Sequence, residues 1–289
     1  MTYTPQWNFS HYTNQEWFQA EQVFPWIRWF LESHNNQEVI SYMIIGKEKI
    51  LFIDTGMGIG NTRLLGNNLL DSANKSKPVI LALTHSHLDH TGGIKYFAWD
   101  TIYMYDHLRM YDVANHGIQW DNLFEFAAEE DIPLCSLDGT IYEVSPFHYH
   151  RMLHNKDYID IGDRKIEVIH TPWHSSDSVS YYDKENKILF CGDIAYYGPI
   201  YLYLESASLE DYRQTIDRLA ILDIEYILCG HNEYEIEKDF FKKVQDIFRN
   251  KTIDEIIDLA NNDGEIIVCD PIVGKQSGKE RIARLCLKW

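Results

Sequence analysis

The sequence predicts a layered fold in which strands and helices alternate, of the α/β or α+β class. Short β-branched or wholly apolar runs recur, as at 39–46 (VISYMIIG) and 79–84 (VILALT). Amphipathic stretches at helical spacing lie between them, as at 209–222. The 289 residues are 45% hydrophobic and 24% charged, which excludes wholesale disorder and fibrous repeats.

Each element has its own signal. Residues 39–46 and 49–54 (KILFID) are strands joined by a turn at Gly46, Lys47 and Glu48. Over 61–73, Leu64, Leu65, Leu69 and Leu70 fall on one helical face. Residues 79–84 read as a strand buried on both faces. The stretch 105–157, rich in aromatics and histidines, reads as a cap or pocket wall with two short helices, 107–114 and 122–130. Residues 165–170 (KIEVIH) alternate like a half-buried strand, and 179–183 with 187–191 form a hairpin. A helix at 209–222 takes Ser208 as N-cap and Asp211 in its first turn. A strand at 225–229, a mostly helical 235–260 and strands at 265–269 and 281–287 complete the chain. With no repeat and no Pro/Gly/Ser linker, 1–289 reads as one domain.

Composition narrows the function. Lys and Arg number 26 against 44 Asp and Glu, a net charge of −18, which repels polyphosphate and argues against a nucleic-acid partner. No apolar stretch is long enough for a membrane span. The start, MTYTPQWNFS, lacks the basic run and apolar core of a secretory signal. Five scattered cysteines without a C-x-x-C pair read as reduced, mostly buried thiols. The expectation is a cytoplasmic protein with a small-molecule substrate.

The chemistry concentrates at His85-Ser86-His87-Leu88-Asp89-His90, directly after the buried strand 79–84. Imidazole and carboxylate are the usual ligands of zinc and similar ions. In an extended segment His85, His87 and Asp89 share one face, and a bend at the strand end turns His90 the other way. One segment can then feed two metal sites. Further ligand-type residues follow other predicted strands: His174 after 165–170, Asp193 after 187–191 and His231 after 225–229. Gly192 and Gly230 permit the close turns that would point Asp193 and His231 inward.

The order H-x-H-x-D-H, H-T-P-x-H, G-D and G-H, preceded by Asp54-Thr55-Gly56, resembles the metallo-β-lactamase-fold superfamily from about residue 39 to 231. The pattern is nearest to its lactonase and glyoxalase-II-like members. The resemblance implies an α+β fold, a four-layer αββα sandwich with metals at one edge, with core 39–231, a cap at 105–157 and an extension at 232–289. It places His85, His87 and His174 on a first metal and Asp89, His90 and His231 on a second. Asp193 would bridge them, and Asp54 would brace the ligand loops. His170 reads as structural. Trp173 departs from the pattern, which usually has Gly there. Either it reshapes the turn or it forms an aromatic wall beside the metals.

The resemblance implies two divalent ions, zinc first, with manganese, iron or cobalt as alternatives. A metal-bridging hydroxide would attack an ester-like bond, as in a lactone, ester or thioester. Asp89 would relay a proton to the leaving group. Tyr196, three residues after Asp193, matches a lactonase tyrosine that could donate to the oxyanion, and packing is its plainer role. The alternatives are a phosphodiesterase, a mono-iron persulfide-oxidising enzyme of the same fold and a catalytically inactive scaffold. His148 and His150 read as structural. Trp26, Trp29 and Phe30 read as core or pocket wall.

Overall fold

A computed structural model describes residues 17–120, 142–201, 208–251, 255, 266–267, 272–273, 280–281 and 283–286. The chain divides into two compact units, Met1–Leu153 with Asp160–Arg164, and His154–Ile159 with Lys165–Trp289.

The first unit contains strands β1 (Phe18–Phe24), β2 (Ile27–Glu32), β3 (Ile40–Ile45), β4 (Ile50–Ile53), β5 (Val79–Ala82) and β6 (Thr101–Tyr105). Its helices are α1 (Thr62–Leu69), the single turn α2 (Leu88–Thr91) and α3 (Leu108–His116). A small ribbon of β7 (Ile118–Trp120) and β8 (Tyr142–Val144) precedes β9 (Arg151–Leu153). The main sheet runs β1-β2-β3-β4-β5-β6-β9. Short connections keep β1 to β4 antiparallel, and α1 returns the chain so that β5 lies parallel to β4. Both β4 and β5 are buried throughout, as their apolar runs require. Phe52 centres this core, stacked on Phe30 at 6.2 Å and edge-on to Phe97 at 5.1 Å. Trp29 is buried as well, whereas Trp26 receives the Arg164 guanidinium 4.6 Å from its ring centre.

Helix α1 is shorter than the leucine spacing predicts. Asn61 caps its start, accepting the Leu64 N–H at 2.9 Å. Leu70 then turns extended, and the Asp71 carboxylate takes both the backbone and side-chain N–H of Asn74, folding the following residues into turns. Leu65 packs inside, but Leu64 faces solvent at 44% exposure.

The second unit contains β10 (Tyr158–Asp160, whose last residue belongs to the first unit), β11 (Lys165–His170), β12 (Val179–Asp183), β13 (Ile188–Gly192), β14 (Gly198–Tyr201), β15 (Tyr226–Cys229) and β16 (Glu235–Ile236). Helices α4 (Leu209–Leu219) and α5 (Phe240–Asn250) and the short strands β17 (Ile266–Ile267), β18 (Ile272–Val273), β19 (Glu280–Arg281) and β20 (Ala283–Cys286) complete it. The main sheet runs β10-β11-β12-β13-β15-β16. Ser208 caps α4 by accepting the Asp211 N–H at 3.1 Å. The predicted helix 235–260 is only partly helical: Glu235 and Ile236 pair with β15 instead, and α5 starts at Phe240. The predicted helix 122–130 lies outside the described residues, as do Cys135 and Cys269.

Cys191 and Cys229 are buried free thiols in contact. Burial, then the hydrogen bond with Cys191, pushes the Cys229 thiol well up, so it stays protonated. Among the described residues no helix is long and apolar enough to cross a membrane.

Candidate metal centre

In the first unit the predicted cluster does not continue the strand. His87 has extended backbone and serves as N-cap of α2, so Asp89 and His90 are helical, and the alternating faces of an extended chain do not apply. The bend brings the rings together: His85 lies 4.6 Å from His87 and 4.2 Å from His90, centre to centre. Asp89 Oδ2 is 3.7 Å from His90 Nε2. His85 and His90 are buried, and His87 and Asp89 are half-buried.

Asp54 organises this group. One carboxylate oxygen accepts the Thr84 N–H at 2.7 Å, and the other accepts the Thr84 hydroxyl at 2.6 Å. That second oxygen also lies 2.8 Å from His90 Nδ1. A carboxylate only accepts, so His90 carries its proton on Nδ1 and presents a bare Nε2. The Thr84 hydroxyl has spent its one proton on Asp54. It therefore accepts from His85 Nδ1, 3.0 Å away, and His85 too presents a bare Nε2. One buried carboxylate thus sets the tautomer of two histidines, as partners of metal-bound imidazoles do. Asp54 sits at φ 60°, a left-handed conformation costly for a non-glycine residue, and these hydrogen bonds hold it there.

In the second unit His174, Asp193 and His231 converge from three strand ends. His231 Nε2 lies 3.2 Å from the Asp193 carboxylate, and His174 Nε2 lies 3.5 Å from it. All three residues are buried. Gly230 makes room: a Cβ there would lie 2.8 Å from Asp193 Oδ1. The Tyr196 ring is 5.2 Å from that of His231 and is 5% exposed. The donors of both clusters are imidazole nitrogen and carboxylate oxygen, a set that fits a divalent metal ion.

The remaining residues singled out from sequence have structural surroundings. His170 Nε2 sits 3.0 Å from the Ser176 carbonyl. His150 Nδ1 accepts the Ile102 N–H. Trp173, with its ring 5.4 Å from that of His174, is buried in the apolar core of the second unit. Its φ is not among the positive values, so the turn is made without the conformation that favours glycine.

Sequence reasoning missed Glu32, at the end of the apolar strand β2. It is 1% exposed, and burial pushes its carboxyl up to about 8. Hydrogen bonds from Asn35 and from the backbone of Met57 and Gly58 act the other way. The side chain lies under the loop after Asp54: a Cβ on Gly56 would come within 2.3 Å of Glu32 Oε1. The signal available was an acidic residue closing an apolar run. Because the folded pKa is raised, Glu32 favours folding below its unfolded pKa, and that contribution disappears as pH rises toward 8. A shift of this size corresponds to at most about 5 kcal/mol. Melting temperatures of wild type and Glu32→Gln should therefore shift in favour of the variant between pH 5 and 8. A difference independent of pH would contradict this.

Comparison with known proteins identifies the family. The sequence profile of the metallo-beta-lactamase superfamily matches residues 38–231. The acyl-coenzyme A thioesterase MBLAC2 of Homo sapiens is 28% identical over 247 residues, covering 78% of this chain and 85% of that protein. A hydroxyacylglutathione hydrolase of Buchnera aphidicola is 26% identical, covering 58% of this chain and 53% of its own. Among solved structures, a metallo-beta-lactamase from Pontibacter korlensis aligns with a TM-score of 0.60 at 15% identity, over 81% of this chain and all of that one. At that identity it shows the fold alone, and the α+β class that the resemblance implies is the one found. With the profile spanning both ligand clusters, the chain belongs to the metallo-beta-lactamase superfamily and is a metal-dependent hydrolase.

Proposed function

We propose that the chain hydrolyses an acyl thioester of a small-molecule carrier, using two divalent ions, zinc first. The observation that carries this reading is the likeness to acyl-coenzyme A thioesterases over most of both chains, with every ligand position of the family pattern filled. In that pattern His85, His87 and His174 would hold one ion, Asp89, His90 and His231 the other, and Asp193 would serve both. When bound, such ions polarise a carbonyl oxygen and lower the pKa of water to about 7.

The chain's own residues do the rest. Asp54 keeps His85 and His90 in the tautomer that binds. Asp89, half-buried at the start of α2, takes the proton released in the attack and returns it to the leaving group. A thiolate leaves with little help because its conjugate acid has a pKa of about 8.5, so a thioester asks less of Asp89 than an ester does. Tyr196, beside His231, donates its phenolic proton to the oxygen that gains charge.

The test is a panel of acyl-CoA thioester, simple ester, lactone and phosphodiester on zinc-loaded protein. The thioester should give the highest kcat/KM, and preference for lactone or phosphodiester would overturn the assignment. In the same assay Tyr196→Phe should lower kcat by about 100-fold with KM little changed. An unchanged kcat would return Tyr196 to packing.

A further inference from the structure

Helix α4 holds two ligand loops at once. Toward the H-T-P-W-H segment, the Ser208 N–H donates to the Trp173 carbonyl at 2.9 Å. The Thr215 hydroxyl donates to the Pro172 carbonyl at 3.0 Å, and Arg218 Nη2 to that of His170 at 3.2 Å. Toward the G-D loop, the Tyr212 hydroxyl donates to the carbonyl of Ile194, the residue after Asp193, at 3.3 Å. The Tyr212 ring lies 4.4 Å from the Trp173 ring, which lies 5.4 Å from that of His174. Phe248 stands edge-on to Tyr212 at 5.9 Å. Both Trp173 and Tyr212 are buried and belong to one apolar cluster.

We propose that Trp173 and Tyr212 form a positioning pair that fixes His174 and Asp193 for metal binding. The inference rests on the reading of His174 and Asp193 as ligands and is independent of the substrate. In the turn before His174, hydrogen bonds from α4 hold the backbone and the Trp173 side chain packs on Tyr212. An indole enclosed in a close-packed core has little freedom, and its neighbour His174 inherits that restriction. Burial pushes the Tyr212 phenol up, so it remains a donor to Ile194 across the neutral range. Through that bond the loop bearing Asp193 is tied to the same aromatic pair.

The test is zinc affinity of the metal-free full chain, measured by competition with a chromophoric chelator, alongside the metal-free melting temperature. Y212F keeps the ring and removes only the hydroxyl. W173F keeps an aromatic ring but removes part of the contact with Tyr212. Both should bind zinc about 10- to 100-fold more weakly, the range for residues that orient metal ligands. The metal-free melting temperature of Y212F should fall only by the cost of one buried carbonyl left without its donor. If Y212F and W173F bind zinc as tightly as wild type, the pair has no positioning role. Lower melting temperatures with unchanged affinity would exclude that role as well, since they indicate packing alone. Wild-type protein that takes up no zinc removes the ligand assignment itself, which separates that failure from failure of the pair.

Discussion

Asp54→Asn is expected to weaken divalent-metal binding by about 10- to 100-fold. The carboxylate accepts three hydrogen bonds, from Thr84 N–H, Thr84 hydroxyl and His90 Nδ1. An asparagine offers one accepting oxygen and an NH2 that must face a donor. If the NH2 faces His90, the ring is driven to the other tautomer and its Nε2 is protonated. If it faces the Thr84 amide, that buried N–H loses its partner. Either way the metal-free protein should lose about 1–3 kcal/mol, the cost of a buried polar group left unsatisfied. Chelator competition measures the first effect and urea denaturation of metal-free protein the second. An affinity within twofold of wild type would show that Asp54 does not set the tautomers.

Gly230→Ala should have a comparable effect through geometry alone. The added methyl would lie 2.8 Å from Asp193 Oδ1 and 3.1 Å from the backbone of Gly192. The fully buried end of β15, at Ile227, Leu228 and Cys229, stands just before it and gives no room to retreat. Asp193 must therefore move by a few tenths of an ångström or more, changing its position relative to His174 and His231. Displacements approaching 1 Å at a reacting centre cost about 100-fold in rate. The expected result is a loss of kcat of about 10-fold and at most that order, with the circular dichroism spectrum unchanged. Wild-type turnover in Gly230→Ala would mean that the Asp193 position is not critical.

The candidate ligands were legible because they stand where apolar runs end. The strands β5, β11, β13 and β15 announce themselves by β-branched or apolar composition, and the His, Asp and Gly residues after them stand out against it. What sequence could not give was the path between those ends. The turn α2 is only four residues long, too short for a periodic signal, yet it decides where Asp89 and His90 sit. Tyr212 reads as one more apolar position of an amphipathic helix, and only the tertiary contact with Ile194 and Trp173 distinguishes it. Glu32 was hidden because a charged residue beside apolar ones is normally solvated. The end of α1 was misplaced because the local hydrogen bonds of Asp71 override the leucine periodicity.

The central claim is that this chain holds a pair of divalent ions on imidazole and carboxylate ligands. Metal content by plasma mass spectrometry, on protein purified without added metal or chelator, tests it most directly. Two equivalents per chain of zinc, manganese or cobalt are predicted, falling in Asp54→Asn. One equivalent of iron, accompanied by persulfide-dependent oxygen uptake, or no bound metal at all, would contradict it.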